Sequence, residues 1–231
     1  MITFPQIAII VPVLNEESTI LNNIEVLNTL SNKCNVVFVD GNSTDNTVQI
    51  LEKNKLKIVT SPRKGRGAQL AYGASHLNNT VEVILFLHID TTLPEGFESM
   101  ILEHSKTDYW GWFNIKLGSE KTIFKIIQFM MNLRSKLTGI ATGDQAIYVT
   151  KNEFMNHLEE MNKHPLMEDI YLSKALNSSL GRGYTQKQSV STSVRYWESR
   201  GIITTILKMW KYRSLYFFGT PPNQLYQQYY K

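Results

Sequence analysis

Apolar and polar positions follow two alternating patterns through the first ninety residues. Four short runs are mostly apolar, as expected of strands that a parallel sheet buries on both faces; they are Ile7 to Val13, Asn35 to Asp40, Leu56 to Thr60 and Val81 to Leu87. Between them, apolar residues recur every three or four positions, as at Ile20, Ile24 and Leu27. That spacing is typical of an amphipathic helix. The pattern predicts an α/β fold with a Rossmann-like, mostly parallel sheet and flanking helices.

The pattern changes after Pro94, where strands and helices no longer alternate regularly. We predict helices at Glu95 to His104, Lys151 to Met161 and Met167 to Leu176, a strand of antiparallel type at Tyr109 to Leu117, a Gly-Asp turn that enters a short strand within Thr142 to Val149, and strand and loop at Arg182 to Val194. The second half therefore adds a different arrangement to the parallel sheet.

A longer helix predicted at Glu120 to Leu137 has an unusually broad apolar face, comprising Ile123, Phe124, Ile126, Ile127, Phe129, Met130, Leu133 and Leu137. A face of this width is usually packed into a core, and we predict that here. The alternative is that the helix borders an acceptor cleft or touches lipid.

Composition adds limits to this fold. The 231 residues are 42% hydrophobic and 19% charged, typical of a globular chain. The single cysteine, Cys34, cannot form an internal disulfide, so we expect a reducing, cytoplasmic location. We expect neither a leader nor an anchor, because no stretch approaches the ~20 apolar residues of a spanning helix.

Charge is concentrated at the C-terminal end. Residues 182–231 carry eight Lys or Arg against one Glu, within a chain whose net charge is +4. Within 201–218, Ile203 and Trp210 lie on one helical face and Lys208 on another, which favours contact with an anionic membrane surface. A phosphate-bearing ligand, helical core packing or a solvated basic tail would also explain the pattern. We predict no nucleic-acid partner, because no nucleic-acid-binding motif accompanies the charge.

Polar side chains follow three of the predicted strands: Asn15 and Glu16, then Asp40, then His88 and Asp90. A basic loop with Arg63, Lys64 and Arg66 follows the remaining strand. Ligands of open α/β sheets collect at the carboxyl ends of the strands, so these residues together predict a nucleotide site. Singly, each carboxylate could be a turn former or a helix cap.

Four motifs in this order resemble family 2 glycosyltransferases, which are inverting enzymes with a glycosyltransferase A-type (GT-A) fold: IIVPVLNEE at 9–17, VDGNSTDNT at 39–47, FLHIDTTLP at 86–94 and MED at 167–169. The HxD form, GDQ at 143–145 and TSVRYWESRG at 192–201 resemble a small bacterial cytosolic subgroup. The resemblance implies one domain over 1–200, with a nucleotide-sugar half at 1–94, an acceptor half at 95–200, and a basic aromatic extension at 201–231.

The resemblance also implies roles for individual residues. The donor-binding residues would be Pro12, Asn15, Glu16, Asp40, Arg63, Lys64, Gly67, His88, Arg195 and Trp197. Asp90 would hold Mg²⁺ or Mn²⁺ on the donor diphosphate, since such ions prefer oxygen ligands. Asp169 would be the general base, with Glu168 as the fallback. His88 stands where the family has the first aspartate of DxD, and is either a donor contact or an ordinary strand-end histidine.

The implied function is transfer of a sugar from a nucleotide-diphosphate sugar to an unidentified acceptor hydroxyl, which could be lipid-linked. A sugar-nucleotide pyrophosphorylase would need a glycine-rich loop after the first strand, and VPVLNEE at 11–17 has none. A non-catalytic nucleotide-sugar-binding scaffold is the other alternative, since the altered DxD motif is compatible with lost turnover.

Overall fold

One mixed sheet forms the centre of the molecule in the computed structural model, which describes residues 4–104 and 107–230. Its eight strands are β1 (Phe4–Val13), β2 (Cys34–Asp40), β3 (Ile58–Thr60), β4 (Val83–Phe86), β5 (Thr91–Thr92), β6 (Trp110–Leu117), β7 (Tyr148–Thr150) and β8 (Tyr184–Thr192). They lie in the order β3-β2-β1-β4-β7-β6-β8-β5. Residues 1–3 and 105–106 of the predicted domain, and Lys231 of the predicted extension, lie outside the described residues.

The four strands β1 to β4 run parallel to one another, as predicted. β1 pairs in parallel with β2 and β4, and β2 pairs in parallel with β3. Their carboxyl ends therefore meet at one edge of the sheet. The predicted α/β architecture, a sheet with flanking helices, is confirmed.

Helices cover both faces of the sheet. They are α1 (Glu17–Lys33), α2 (Thr47–Lys53), α3 (Arg66–Ser75), α4 (Phe97–Leu102), α5 (Thr122–Thr138), α6 (Lys151–Met155), α7 (Leu158–Met161), α8 (Glu168–Leu180), α9 (Arg195–Arg200), α10 (Ile202–Phe217) and α11 (Pro222–Tyr229). Along β1, Ile7 and Ile9 pack toward α1 and α2, whereas Ala8 and Ile10 pack toward α3 and α8. Because both faces are buried, the strand is apolar throughout.

Two predictions for the second half were incomplete. The single helix expected at 151–161 is two short helices, α6 and α7. The N–H groups of Asn156 and His157 bond to carbonyls three residues back, which tightens the chain and ends α6. The strand β6 is antiparallel to β7, as expected, but parallel to β8 on its other side.

The apolar face of α5 is mostly not core. Phe124 and Ile127 are buried against β6, but Ile126, Phe129 and Leu137 are 54%, 63% and 71% exposed. The core prediction is therefore wrong for most of this face. The helix packs on β6 and on Trp197 of α9, so only a narrow strip of its surface meets other side chains.

The C-terminal segment packs on the body through two apolar clusters. Ile202 and Ile206 of α10 join the cluster beneath α5, and Tyr212 joins Leu166 and Leu225. The predicted helix at 201–218 is confirmed by α10, whereas α9 and α11 were not predicted. Of the helices that the structure describes, none combines the length and apolar character needed to span a bilayer.

Candidate active site

A buried glutamine holds together the edge of the sheet where the predicted site residues collect. The Nε2 atom of Gln69, on α3, donates to the carbonyl of Val13 at 2.9 Å and to that of Val39 at 2.7 Å. These carbonyls come from the ends of β1 and β2. The glutamine therefore fixes the spacing between the two strands from which the first two site loops depart.

Asn15 and Asp40 organise those two loops. Asn15 has a left-handed backbone (φ 55°), and its Oδ1 accepts from the N–H of Thr44 at 2.8 Å. Asp40 is buried, and its carboxylate accepts from the N–H groups of Asn42 at 3.0 Å and Ser43 at 3.1 Å. Asn15 and Asp40, which were both predicted to bind the nucleotide sugar, thus shape the loop that follows β2. Direct contact with a base or ribose stays a prediction for each.

Glu16, Asp90 and Arg195 form a charged group at the ends of β1 and β4. Arg195 donates from Nη2 to Thr19 Oγ1 at 2.8 Å, and Thr19 donates to Glu16 Oε2 at 2.5 Å. Burial raises the pKa of Glu16, and the Asp90 carboxylate raises it further while Arg195 lowers it. The structure therefore brings together three residues that were predicted at distant points of the chain.

His88 belongs to a chain of side chains across the site. Its Nδ1 lies 3.0 Å from Asp144 Oδ1, and its Nε2 lies 2.9 Å from Arg66 Nη1. Because a guanidinium has only donors, Nε2 must accept, so Nδ1 carries the hydrogen and donates to Asp144. On its other side, Arg66 Nε lies 3.2 Å from Glu168 Oε1. The imidazole is therefore fixed in one tautomer and is not an ordinary strand-end histidine.

A 3₁₀ turn at Gly143–Gln145, the 143–145 turn, contacts three parts of the molecule. Its Gly143 N–H donates to Asp169 Oδ2 at 3.1 Å, and its Asp144 accepts from His88. Gln145 Oε1 accepts from Ser135 Oγ of α5 at 2.6 Å. A Cβ on Gly143 would lie 2.5 Å from His88 Nε2, so only glycine fits here.

Glu168 and Asp169 differ in their surroundings, although they are neighbours at the start of α8. The Glu168 side chain is only 5% exposed and is paired with Arg66, whereas Asp169 is half-buried. Burial raises the pKa of Glu168, an effect that Arg66 opposes. Met167 precedes them in a left-handed conformation (φ 64°), which costs about 1–3 kcal/mol for such a residue. The geometry thus leaves Asp169 the more accessible of the two carboxylates.

Oxygen ligands for a cation are present but dispersed. Burial raises the pKa of Asp90, and the nearby Asp144 carboxylate raises it further, so negative charge is crowded at this point. A cation would relieve that crowding. Within residues 4–104 and 107–230, however, no group of three His, Cys, Asp or Glu converges as a ready-made metal site. Asp90 fits a divalent metal only if a bound diphosphate supplies further oxygens.

Three other predicted residues have different placements. Pro12 lines the same pocket as His88 and Asp169. Arg63 and Lys64 are exposed to solvent in the loop after β3.

Gly67 and Trp197 have packing roles instead of a visible place in the pocket. A Cβ on Gly67 would lie 2.3 Å from the His164 carbonyl oxygen, so this glycine permits the close approach of α3 to the segment before α8. Trp197 is buried beneath α5, beside Phe124 and Ile127.

The sequence did not indicate Gln69 or Asp144 as individual candidates. It indicated Arg66 as part of a basic loop, but not as a link between His88 and Glu168. The Gly-Asp turn before a short strand was noticed, and a turn at the same sheet edge as Asp90 could have indicated Asp144. Gln69 had no such signal, because it lies within an otherwise ordinary helical pattern.

The chain was compared with known proteins. Residues 8–157 match the model of a family described as glycosyl transferase family 2. A search of curated proteins finds no match.

Several solved structures have a similar fold. S. aureus TarS 1–349 is 19% identical, with a TM-score of 0.58, over 84% of this chain and 62% of that one. The mannosyltransferase PcManGT from Pyrobaculum calidifontis, in complex with GDP-Man and Mn²⁺, is 20% identical, with a TM-score of 0.57, over 82% of this chain and 56% of that one. Glucosyl-3-phosphoglycerate synthase from Mycobacterium tuberculosis, in complex with Mn²⁺ and UDP-Glc, is 16% identical, with a TM-score of 0.53, over 82% and 70%. This chain spans about three fifths of the first two structures.

Proposed function

Because this chain belongs to glycosyl transferase family 2 and is a glycosyltransferase, we propose that it transfers a sugar from a nucleotide-diphosphate donor to an acceptor hydroxyl with inversion and metal assistance. The observation that carries the proposal is the 143–145 turn. Through Asp144 the turn contacts His88, which lies two residues before Asp90, the proposed metal ligand. Through the Gly143 N–H it contacts Asp169, the accessible carboxylate. The site therefore offers an anchor for a diphosphate and a base within one connected group.

The donor is proposed to bind at the ends of β1, β2 and β4. TarS has been solved with UDP-GlcNAc, and the structures described above contain GDP-Man or UDP-Glc with Mn²⁺. In this chain, Pro12, Asn15 and Asp40 would border the nucleoside, and Arg195 would face the diphosphate beside Glu16. Arg63, Lys64, Gly67 and Trp197 remain predictions without a contact that supports them.

Asp90 would hold Mg²⁺ or Mn²⁺ together with the donor diphosphate. When bound, such an ion supplies electrophilic stabilisation of the negative charge on the departing nucleoside diphosphate. The crowded carboxylates around Asp90 support this assignment, because a bound cation would reduce the electrostatic repulsion among them. His88 would act on the sugar donor through Asp144 and Arg66, because both of its ring nitrogens are bonded to these side chains.

Asp169 is the proposed general base. The acceptor oxygen forms a bond to the anomeric carbon while the bond from that carbon to the phosphate oxygen breaks, and the nucleoside diphosphate leaves with the electron pair. The hydroxyl proton passes to Asp169, whose Gly143 hydrogen bond orients the carboxylate. Attack from the face opposite the leaving group inverts the anomeric centre. Glu168 is less suited, because its carboxylate is paired with Arg66.

A donor screen tests the proposal. Nucleotide sugars with Mn²⁺ should raise the melting temperature when they bind, by mass action. Asp90→Asn should abolish the metal-dependent part of that shift. Asp169→Asn should keep it but lower transfer about 10²–10⁴-fold, the usual contribution of a general base. Glu168→Gln is the matched control, for which we expect a smaller loss. Full transfer by both aspartate variants would refute the site.

We also propose peripheral contact with the inner face of a membrane, as expected for a lipid-linked acceptor. Exposed large apolar side chains collect on α5 and α10: Ile123, Ile126, Phe129, Met130, Leu133, Leu137, Ile203, Leu207, Met209, Trp210 and Phe217. Neither helix contains an Asp or Glu, while each contains three Lys or Arg. A second copy of this surface would bring like charges together, whereas anionic lipid would complement them.

Vesicle flotation tests this membrane contact. The wild type should float with vesicles that contain anionic lipid, and the double variant Leu207→Ser/Trp210→Ser should not. Leu21→Ser is the control, because Leu21 is 54% exposed on α1, which carries no such basic and apolar surface. Retention of the wild type in the soluble fraction under all lipid conditions would exclude the contact.

A further inference from the structure

The helices α5 and α10 contribute to one apolar cluster, and each helix carries an arginine beyond it. Ile127 of α5 and Ile206 of α10 belong to the same cluster. Seven residues after each of them come Arg134 and Arg213. Seven residues are close to two helical turns, so each arginine lies on the face of its helix that carries the shared cluster. The Arg213 charge acts on Arg134, so the two guanidinium groups are neighbours beyond the cluster.

The two arginines carry positive charge that the described residues do not neutralise. Within 4–104 and 107–230, neither makes a salt bridge. Arg134 donates from Nη2 to Ser135 Oγ at 3.1 Å, and its Nε is buried without a hydrogen-bond partner. Leaving a charged donor buried and unsatisfied is costly, and a second guanidinium nearby adds repulsion.

The Asp169 carboxylate acts electrostatically on both arginines and also on Arg66 of the site. Burial and the Arg213 charge together lower the pKa of Arg134 to about 10, although Asp169 and Asp144 oppose them. Burial also lowers the pKa of Arg213, which Asp169 opposes. Both groups stay protonated at neutral pH. The donor end of the site has its own cation, Arg195, beside Glu16 and Asp90.

We propose that Arg134 and Arg213 form an anion subsite that binds a phosphate or carboxylate group of the acceptor. The inference rests on the proposed function, since it places the acceptor on the Asp169 side of the donor. An anionic group between the two guanidiniums would satisfy the buried Nε of Arg134 and remove the repulsion between like charges. It would also fix the acceptor close to the base.

The anion could belong to a lipid headgroup or to a soluble acceptor. Leu137 lies one turn beyond Arg134, and Trp210 and Phe217 lie one turn on either side of Arg213, all three exposed. A ligand with an anionic group and an apolar part would use both features. Both sources share the same recognition chemistry, so the experiment must separate them.

The test uses the full chain and two probes, in the absence of divalent metal. Inorganic phosphate is titrated by calorimetry or thermal shift, and flotation compares phosphatidylcholine vesicles with and without phosphatidic acid. We expect Arg134→Gln and Arg213→Gln to weaken phosphate binding about 10–100-fold, the effect of losing a charge-assisted hydrogen bond. Lys136→Gln and Lys211→Gln are matched controls. Each removes one charge from an exposed position of the same helix and should leave the binding of inorganic phosphate unchanged.

The phosphate titration and the vesicle flotation have distinct outcomes for the two sources of the anion. A lipid source predicts that the arginine variants lose phosphatidic acid binding beyond their controls, whereas a soluble source predicts loss of phosphate binding alone. Equal losses in the lysine controls, or no phosphate binding by the wild type, would overturn the subsite.

Binding of UDP or GDP with Mn²⁺ separates this inference from the proposed function. Both arginine variants should keep it, because Arg134 and Arg213 are assigned to the acceptor. If they lose nucleotide binding together with phosphate binding, the arginines belong to the donor site and the inference is wrong. If the wild type binds neither nucleotide while phosphate binding follows the arginines, the subsite stands and the proposed donor fails.

Discussion

The donor edge of the sheet and the flank formed by α5 and α10 are held together in different ways. At the donor edge, polar groups are satisfied inside the protein: Gln69 bridges two strands, and the Asp40 carboxylate holds its loop. On the flank, apolar side chains such as Phe129 are exposed, and the buried Nε of Arg134 has no hydrogen-bond partner among the residues that the structure describes. The loops of the first region are held by contacts within the protein, whereas the second region lacks contacts that a ligand or surface would supply.

This difference shows what an apolar pattern does and does not indicate. The strands of the donor half are apolar because the protein buries both their faces. The broad face of α5 is equally apolar, yet the protein covers only the strip around Phe124 and Ile127. Large contiguous exposed apolar surfaces commonly mark contact with a partner or membrane. A periodic apolar face thus indicates that something covers it, without indicating that the same chain does so.

Two phenylalanines on α5 give the largest test of this comparison. Phe124 is fully buried, so Phe124→Ala should lower the free energy of unfolding by about 3–5 kcal/mol. Phe129 is 63% exposed, so Phe129→Ala should change it by no more than about 0.5 kcal/mol. Urea denaturation of both variants measures the difference. A large loss for Phe129→Ala would mean that the face is covered within the free protein.

Asp144→Asn tests whether the bond between the 143–145 turn and His88 stabilises the folded protein. Burial opposes ionisation of Asp144, but the His88 hydrogen bond and nearby positive charges outweigh it, so its pKa is lowered below 3.8. Its carboxylate therefore contributes stability above pH 3.8 that is lost as pH falls through the folded-state pKa. We expect the variant to be less stable by about 1 kcal/mol at pH 7, since it keeps a weaker, neutral hydrogen bond.

Urea denaturation between pH 3 and pH 7 checks that expectation. The difference from wild type should shrink toward the acid end. A difference that is constant with pH would show that the Asp144 charge does not act on stability.

Asp90→Asn should have the smallest effect on stability, and in the opposite direction. Burial raises the pKa of Asp90 above 3.8, so the ionised group costs stability, and that cost appears as pH rises through 3.8. The variant should therefore be slightly more stable than wild type near pH 7, and equal to it in acid. Melting temperatures in the presence of EDTA measure this. A less stable variant at pH 7 would contradict the proposed crowding of carboxylates.

Much of the donor half could be predicted from the sequence, because its signals are local. Each parallel strand is a continuous apolar run, and each helix between them has a 3.6-residue period. The second half was harder, because its pairing is not local. The strand β6 has an antiparallel neighbour on one side and a parallel one on the other, and no property of Trp110–Leu117 itself specifies both.

The site was predicted where it follows strand ends and missed where it depends on tertiary contacts. Glu16 and Asp90 were identified because each comes directly after an apolar run. Asp144 is bonded to His88, which is 56 positions earlier in the chain, and Trp197 is buried by helices that were not predicted to meet. Such relations arise from folding, so a motif can suggest them only by its place in the order of elements.

The 143–145 turn has a consequence for how the two substrates affect each other. Its three residues contact Asp169, His88 and Ser135 of α5, so a shift of α5 reaches both the base and the imidazole beside Asp90. If acceptor binding moves α5, the two ligands should bind cooperatively, and thermodynamic reciprocity requires each to change the affinity of the other by the same factor. Donor dissociation constants with and without acceptor would measure that factor, and Gln145→Ala should bring it toward one.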